Sequence, residues 1–510
     1  MEKFDVIIIG SGLGGLICGN ILSREGMKVG IFEKERQAGG NLRSFTRHGQ
    51  KFETGVHYTG SLEPGQTLHR YWKYLGLTEA LPLQKLDRDG FDRITFGDRE
   101  FPLAQGFGNF TEQLLPFFPG AAAELQRYTG KIEEVVSAFP LYNLELPVNH
   151  REQHYTNKSA LEFLQGFSQT RCDNRRQSVS PPNSHAATPL SAVLAGNNFL
   201  YGGHPQTPVH VSSLISHSFI SGACRIIGGS DQVAISLEHK LISNGGTIRF
   251  NSEVIRIERQ DGQFSVIPSA GDTCLASRII SDIHPAVALS LLPVGMVRPA
   301  YRKRIESLEN TVSSFILHLT LKPGSFPYLN HNVYYHNSFN AWHEYNLTGQ
   351  DWPGMYLLTT ACQHAGQKFA ETMTILTYMQ YGEVAGWSES RTGNRGAAYE
   401  DFKSERAEKL LQGVFRKFPE LQGAISRTDI STPLTYRDFT GIPEGSLYGI
   451  RKNYTEPMFT TVLPRTKIAD FYFTGQNTNL HGLLGVTIGA VATCGEIVGL
   501  EYLLGKIKGD

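Results

Sequence analysis

Four β-branched residues in succession, Val6-Ile7-Ile8-Ile9, follow Asp5 and stop at Gly10. Such a run predicts a short parallel strand buried on both faces. Leu16, Ile17, Asn20 and Ile21 then recur at helical spacing, Gly26 interrupts, and a second strand, Lys28–Phe32, ends at Glu33. A second unit of this kind begins mid-chain. Gly228-Gly229-Ser230 opens a helix carrying Val233, Ile235, Leu237 and Leu241, and Asn244-Gly245-Gly246 leads into a strand, Thr247–Phe250. Alternation continues through Ser252–Ile257 and Phe264–Val266, and the strand Arg278–Asp282 closes the unit. Near the C-terminal end, Asp470–Phe473 reads as a short strand ending in Thr474-Gly475-Gln476. His481–Ala490 reads as a glycine-permissive turn running into a helix.

The intervening stretches have a different texture. Leu125, Tyr128, Ile132, Val135 and Phe139 predict an amphipathic helix over 121–139, and a shorter one is expected over Ser159–Phe167. From Ser168 to Pro189 the chain turns polar and proline-bearing, which predicts a solvated surface loop. Ser314–Leu319 alternates like a sheet strand. Between Phe326 and Tyr356, nine of 31 residues are aromatic against 11% for the whole chain. That enrichment fits either a wall for a flat apolar ligand or an aromatic sheet core. His331, His336 and His343 fall in the same stretch, but their spacing does not share one strand face and no acidic set accompanies them. No metal site is expected.

At 510 residues the chain holds two or three domains' worth of material, and 48 basic residues balance 48 acidic ones. Zero net charge excludes an electrostatic nucleic-acid binder. A composition 40% hydrophobic and 19% charged excludes a disordered chain. Cys18, Cys172, Cys224, Cys274, Cys362 and Cys494 are scattered, with no Cys-x-x-Cys, so neither a disulfide framework nor a zinc module is expected. No signal peptide or spanning helix is expected either. The stretch 471–495 carries Gln476, Asn477, Asn479, His481 and five glycines, which is too polar to cross a bilayer. The expected location is cytoplasmic, with peripheral attachment to the inner membrane face left open.

Chemistry enters at Gly10-Ser11-Gly12-Leu13-Gly14-Gly15. Gly10 allows the tight turn, Gly12 lets the backbone approach a pyrophosphate, and Gly15 lets helix and strand pack closely. The anion would rest on the helix N-terminus, and Glu33, 18 residues past Gly15, would accept hydrogen bonds from a ribose. A second glycine pair follows almost at once, in Lys34-Glu35-Arg36-Gln37-Ala38-Gly39-Gly40-Asn41-Leu42-Arg43. In this the chain resembles FAD-binding proteins of the amine oxidase and phytoene desaturase superfamily. The resemblance implies a cofactor, FAD, held by Gly10, Gly12, Leu13, Gly14, Gly15, Glu33, Lys34, Gly39, Gly40, Asn41, Leu42, Arg43, Val254, Gly475, Gln476, Leu484 and Val486. Two positions depart from the superfamily pattern: Asn41 stands where many members carry arginine, and Gln476 where an aspartate is usual.

More specific segments point within that superfamily. Phe52-Glu53-Thr54-Gly55-Val56-His57-Tyr58-Thr59-Gly60, Ser216–Ala223 before Gly228-Gly229-Ser230, Ser431–Tyr436 and Pro443–Gly449 are similar to the retinol saturase branch of the phytoene desaturase-related flavoproteins, the first of them expected near the flavin. Arg225-Ile226-Ile227 departs from it. The resemblance implies an α/β fold: a Rossmann-like FAD-binding domain of the glutathione reductase and amine oxidase type with an inserted α+β substrate domain. The expected division is 1–80, 214–294 and 461–510 for the FAD domain, and 81–213 with 295–460 for the substrate domain and its helical cap. The implied reaction is hydride transfer between flavin N5 and a C=C or C–C bond of an isoprenoid polyene, such as a retinol or carotenoid. His57, Tyr58, Tyr436 and His481 are the candidate proton donors. Saturation, desaturation and isomerisation all remain open, as do NAD(P)H and a quinone as electron partner. An amine oxidase and a non-enzymatic prenyl-lipid carrier of the same fold are the competing readings. No nucleophile elbow or P-loop lysine motif is found, so the chemistry falls to the cofactor.

Overall fold

The computed structural model describes residues 1–147, 150–167, 189–478 and 480–509. The polar stretch expected as a surface loop, with Cys172 inside it, lies outside the described residues up to position 188. The β-branched run forms strand β1, Lys3–Ile9, and Val6, Ile7 and Ile8 are fully buried. The turn passes into helix α1, Leu13–Arg24, and strand β2, Val29–Phe32, follows. β1 lies parallel to β2 on one side and to the strand Cys274–Ser281 on the other. Thr247–Arg249 extends the sheet beyond β2. The strand Cys274–Ser281 is shared: its first half pairs antiparallel with Gln263–Pro268, and its second half pairs parallel with Phe471–Phe473. Three distant stretches of chain thus build one seven-stranded sheet.

α1 is buried along almost its whole length because it is enclosed by the sheet and by two other helices, Asp231–Ser243 and Gly482–Val498. Its one buried amide, Asn20, donates to the carbonyls of Leu16 and of Leu237, which ties α1 to the first of those helices.

A second seven-stranded sheet runs in the order 425–431, 313–321, 372–379, 355–360, 332–336, 92–96, 99–103. All pairs are antiparallel except Asn332–His336 with Asp92–Phe96. Its central strands are buried at every position, so period-two alternation sends neighbours to different cores. Phe315, Leu317, Ile375 and Leu358 share a core with Leu410 and Val414 of the helix Ala397–Lys417. Ile316, Leu376 and Leu357 face the core that also holds α1. The aromatic stretch 326–356 follows the same rule. Tyr335 stacks on Tyr356 with ring centroids 5.0 Å apart, Trp352 packs on Phe315, and Tyr334 turns to the other face. The aromatic-core alternative therefore describes this stretch. The helices expected over 121–139 and Ser159–Phe167 are found at Ala122–Ser137 and Ala160–Gln165, the latter capped by the Ser159 side chain.

Of the three histidines, His336 is fully committed. Its Nδ1 meets Glu344 at 2.8 Å and its Nε2 reaches the Gly196 carbonyl at 2.7 Å, all three groups buried. Among the described residues no group of three His, Cys, Asp or Glu is placed to hold a metal ion, and no helix is long and apolar enough to cross a membrane. The five described cysteines are free thiols. Removing one member of a buried ion pair leaves the other uncompensated. Glu344→Ala should therefore cost about 3–5 kcal/mol of stability, read as a lower urea midpoint at unchanged slope.

Candidate functional site

Three segments close on one another around the glycine turn. Gly10 has φ +93°, a conformation favouring glycine, and the Gly39 amide donates to the Ser11 carbonyl at 2.8 Å. A Cβ on Gly14 would stand 2.7 Å from the Gly475 nitrogen, and one on Gly15 would stand 2.3 Å from the Gly10 carbonyl oxygen. Only hydrogen fits at either place. No side chain caps α1 and no acid stands in its first turn, so its N-terminal amides and dipole face the space above. Asp282, at the end of the strand Cys274–Ser281, lies beneath them. Cβ atoms on Gly12, Gly14 or Gly475 would each come within 2.6 Å of its carboxyl oxygens. Burial pushes Asp282 up to about 8; the nearby Gly15 amide pulls the other way, the Glu33 charge adds to the rise, and the Gly12 amide opposes it. The carboxyl is therefore neutral at pH 7 and sets no charge against an anion on the helix end.

This turn floors a cavity of about 360 Å³. Every residue expected to hold the dinucleotide lines it except two: Gly15, which packs against Gly10, and Leu484, which faces an adjoining cavity. Glu33 ends β2 there, its Oε2 accepting from the Ser11 amide at 2.9 Å and the Ser11 hydroxyl at 2.6 Å. Lys34 donates to the Asp438 carbonyl, and Arg43 donates to the Phe439 and Gly40 carbonyls. Arg43 is thus held by backbone across the cavity. The two unusual positions face one another. Asn41 Nδ2 reaches Gln476 Oε1 at 3.4 Å, while Asn41 Oδ1 and Gln476 Nε2 are buried with no partner. One acceptor and one donor are left for a ligand, an arrangement that neither residue shows alone.

The adjoining cavity, about 140 Å³, shares Asn41, Gly55, Val56, Tyr448 and Leu483 with the first. Its walls are Tyr142, Phe199, Phe219, Leu357, Leu376 and neighbours, and no described residue lining it is Asp, Glu, Lys or Arg. The nine aromatics of 326–356 do not line it; its rings come from residues scattered between Tyr58 and Tyr448. All four candidate proton donors do. Tyr436 donates to the Thr54 carbonyl, and burial raises its phenol far above the usual range. His481 donates from Nε2 to the Leu200 carbonyl at 3.2 Å and lies 4.5 Å from the Tyr448 ring; burial lowers it to about 4. It is neutral with its proton committed. His57 Nδ1 faces Glu53 at 3.4 Å, and its Nε2 is buried without a partner. Tyr58 turns its hydroxyl to Asp92 at 2.9 Å and to the Tyr334 hydroxyl at 2.6 Å. Asp92 was not legible as a site residue, and Glu53 was read only as part of the segment Phe52–Gly60. Asp92 opens the strand Asp92–Phe96 with no sequence mark of its own, and Glu53 stands four residues before His57.

Residues 13–369 match the model of the family described as flavin containing amine oxidoreductase. The chain belongs to that family. Solved structures of two amine oxidases share its α/β fold. A putrescine oxidase aligns over 100% of both chains with a TM-score of 0.63 at 15% identity, and cyclohexylamine oxidase from Brevibacterium oxydans over 99% of both at 0.58 and 14%. Among curated proteins, the human all-trans-retinol 13,14-reductase is 26% identical over 98% of this chain and 86% of its own length. The Methylomonas 4,4'-diapophytoene desaturase is 23% identical over 62% of this chain and 61% of its own.

The contact between Gly14 and Gly475 is backbone against backbone, so it cannot be relieved by a rotamer. Gly14→Ala should lower stability by about 1–3 kcal/mol, measured by thermal or urea unfolding. The control is Gly130→Ala in the helix Ala122–Ser137, where nothing lies within 4 Å of the added atom. That change should be neutral or stabilising by up to about 1 kcal/mol.

Proposed function

We propose that the chain is an FAD-dependent oxidoreductase that reduces a carbon–carbon double bond of an apolar isoprenoid polyene. The observation that carries this reading is the union of two unlike cavities: one that suits an anionic dinucleotide, the other apolar and aromatic with no charged residue among its described lining. The names of the relatives, a retinol reductase and a carotenoid desaturase, support the same substrate class.

The residues present fit FAD. The amides at the start of α1 would take the pyrophosphate, Glu33 the adenosine ribose, and Asn41 Oδ1 with Gln476 Nε2 the polar edge of the remaining half. We assign 1–80, 214–294 and 461–510 to the part that holds it, and 81–213 with 295–460 to the part that encloses the substrate. When bound, the flavin supplies a hydride to a substrate carbon. The apolar walls hold that carbon in a fixed place and exclude water, and a side chain of the second cavity delivers the proton that saturation also requires. Tyr436 and His481 have their hydrogens bound to backbone carbonyls, which hold no proton to return, so His57 and Tyr58, each backed by a carboxyl, are the donors we favour.

The visible spectrum of purified protein should show a bound flavin. Anaerobic mixing of the reduced protein with all-trans-retinol, carotenes, simple enones and primary amines should give reoxidation by one polyene class and none by amines. A colourless protein that FAD cannot reconstitute would overturn the reading in favour of a lipid carrier. Glu33→Gln should weaken FAD by roughly 10–100-fold, as a charge-assisted hydrogen bond of about 1.5–3 kcal/mol is lost; titration of the apoprotein measures it.

A pH effect follows from Asp282. A diphosphate above it disfavours its ionised form, so binding is opposed once the carboxyl loses its proton. FAD affinity should fall as pH rises through about 8. In Asp282→Asn that decline should vanish, as followed by flavin fluorescence.

A further inference from the structure

We propose that Asp92 is a positioning residue that supplies protons to Tyr58: a buried carboxyl on the second sheet recharges the tyrosine hydroxyl that protonates the substrate carbon. This inference rests on the polyene-reduction reading.

The geometry is a chain of hydrogen bonds that starts at the cavity wall and leads into the sheet. The Tyr58 hydroxyl donates to Asp92 Oδ2 at 2.9 Å. The same oxygen accepts from Asn197 Nδ2 at 3.1 Å, and Oδ1 accepts from Asn332 Nδ2 at 3.0 Å. Asn332 Oδ1 in turn accepts from Arg225 at 2.9 Å and from the Thr359 hydroxyl at 2.9 Å. Arg225, 2% exposed, otherwise bonds neutral oxygens among the described residues: Tyr328, Leu329, His331 and Thr359. A buried cation and a buried anion thus stand apart, joined through one amide, when a direct pair would hold the charges more firmly.

A carboxyl that is completely buried is costly unless every lone pair is served and its charge is compensated. An apolar residue would fill a sheet position more simply. What Asp92 offers instead is a proton held at the far side of a cavity-lining phenol. Burial pushes it up to about 6, against the pull of the Asn332, Asn197 and Tyr58 hydrogen bonds and the Arg225 charge. The titratable and charged groups that bear on it are Tyr58 from the segment before strand Thr59–Gly60, Tyr334 from Asn332–His336 and Arg225 from Ala223–Ile226. Burial, with the neighbouring Asp92 charge, holds the Tyr58 phenol well above its usual range, so it does not ionise on its own.

Direction of the proton follows from the state of Asp92. Ionised, it accepts the Tyr58 hydrogen and turns it away from the cavity. Protonated, it donates to the Tyr58 oxygen, which also meets the Tyr334 hydroxyl at 2.6 Å, and the phenolic hydrogen is no longer held by the carboxylate. In reduction of the double bond, one carbon gains the hydride from reduced flavin and the other gains the Tyr58 proton. The C=C π bond and the Tyr58 O–H bond break as two C–H bonds form. The phenolate takes the Asp92 proton, and the carboxylate is reloaded from solvent.

Two readouts on the flavin-loaded protein test this. In the first, the infrared carbonyl band of the Asp92 carboxyl, assigned by its loss in Asp92→Asn, is titrated. It should titrate at about pH 6 and shift upward in Tyr58→Phe, which removes a donor to the carboxylate. Titration in the ordinary aspartate range, or no shift in Tyr58→Phe, overturns the coupling. In the second, reduced protein is oxidised by all-trans-retinol in single turnovers across pH. The wild-type rate should fall tenfold per unit above about pH 6. Asp92→Asn should be flat with pH and slower by roughly 100-fold, Tyr58→Phe at least as slow, and the double variant no slower than Tyr58→Phe. A falling limb that persists in Asp92→Asn, or additive losses in the double variant, overturns the relay. If wild-type protein oxidises with no polyene, the functional reading fails, and the infrared titration alone decides whether Asp92 and Tyr58 are coupled.

Discussion

The constraint on which the site depends is the meeting of Gly14, Gly475 and Asp282, where backbone touches backbone and no added side-chain atom fits. It fixes the end of β1 against a strand more than 450 residues away. The helix N-terminus, the second glycine pair and the helix Gly482–Val498 are oriented by that meeting. Loop-closure entropy grows only slowly with length, so joining such distant segments costs little more than joining near ones. The cost falls instead on local tolerance: these positions have almost no freedom of substitution.

That constraint also explains what could be read from the chain. Strands and helices around the glycine turns announce themselves because local rules suffice: a β-branched run, a turn needing φ > 0, a helix with a uniform apolar surface. The residues expected for the dinucleotide come together for the same reason. Asp282 escaped notice because its sequence context, the end of an apolar strand, is ordinary; its meaning comes from three glycines contributed by two other segments. Asn41 and Gln476 each looked like a departure from a pattern, and only their juxtaposition shows a matched pair of unfilled hydrogen-bonding positions.

The second sheet was harder to read. Its aromatic stretch carried two equal interpretations because enrichment says nothing about which face a ring occupies. The pleat decides: strands covered on both faces send successive residues to opposite cores, so Tyr334 and Tyr335 serve different neighbours. Asp92 shows the same limit more sharply. Its partners Tyr58, Asn197 and Asn332 lie 34, 105 and 240 positions away, and a carboxylate at the start of a strand has no signature of burial. Polar networks of this kind are specified by tertiary contact, not by periodicity.

The family to which the chain belongs takes its description from amines, yet the described lining of the second cavity holds no acidic residue to meet one. An ammonium group entering there would shed its hydration without gaining a counter-charge from the described lining, a loss that low dielectric makes larger. The titratable groups at the wall are arranged to the same effect: His481 is held neutral, and the phenols of Tyr58 and Tyr436 are held protonated by burial. A wall that keeps these three groups uncharged suits the uncharged polyene proposed above. The carboxyls nearest that wall stand one layer back, Glu53 against His57 and Asp92 against Tyr58, and neither is part of the cavity's described lining.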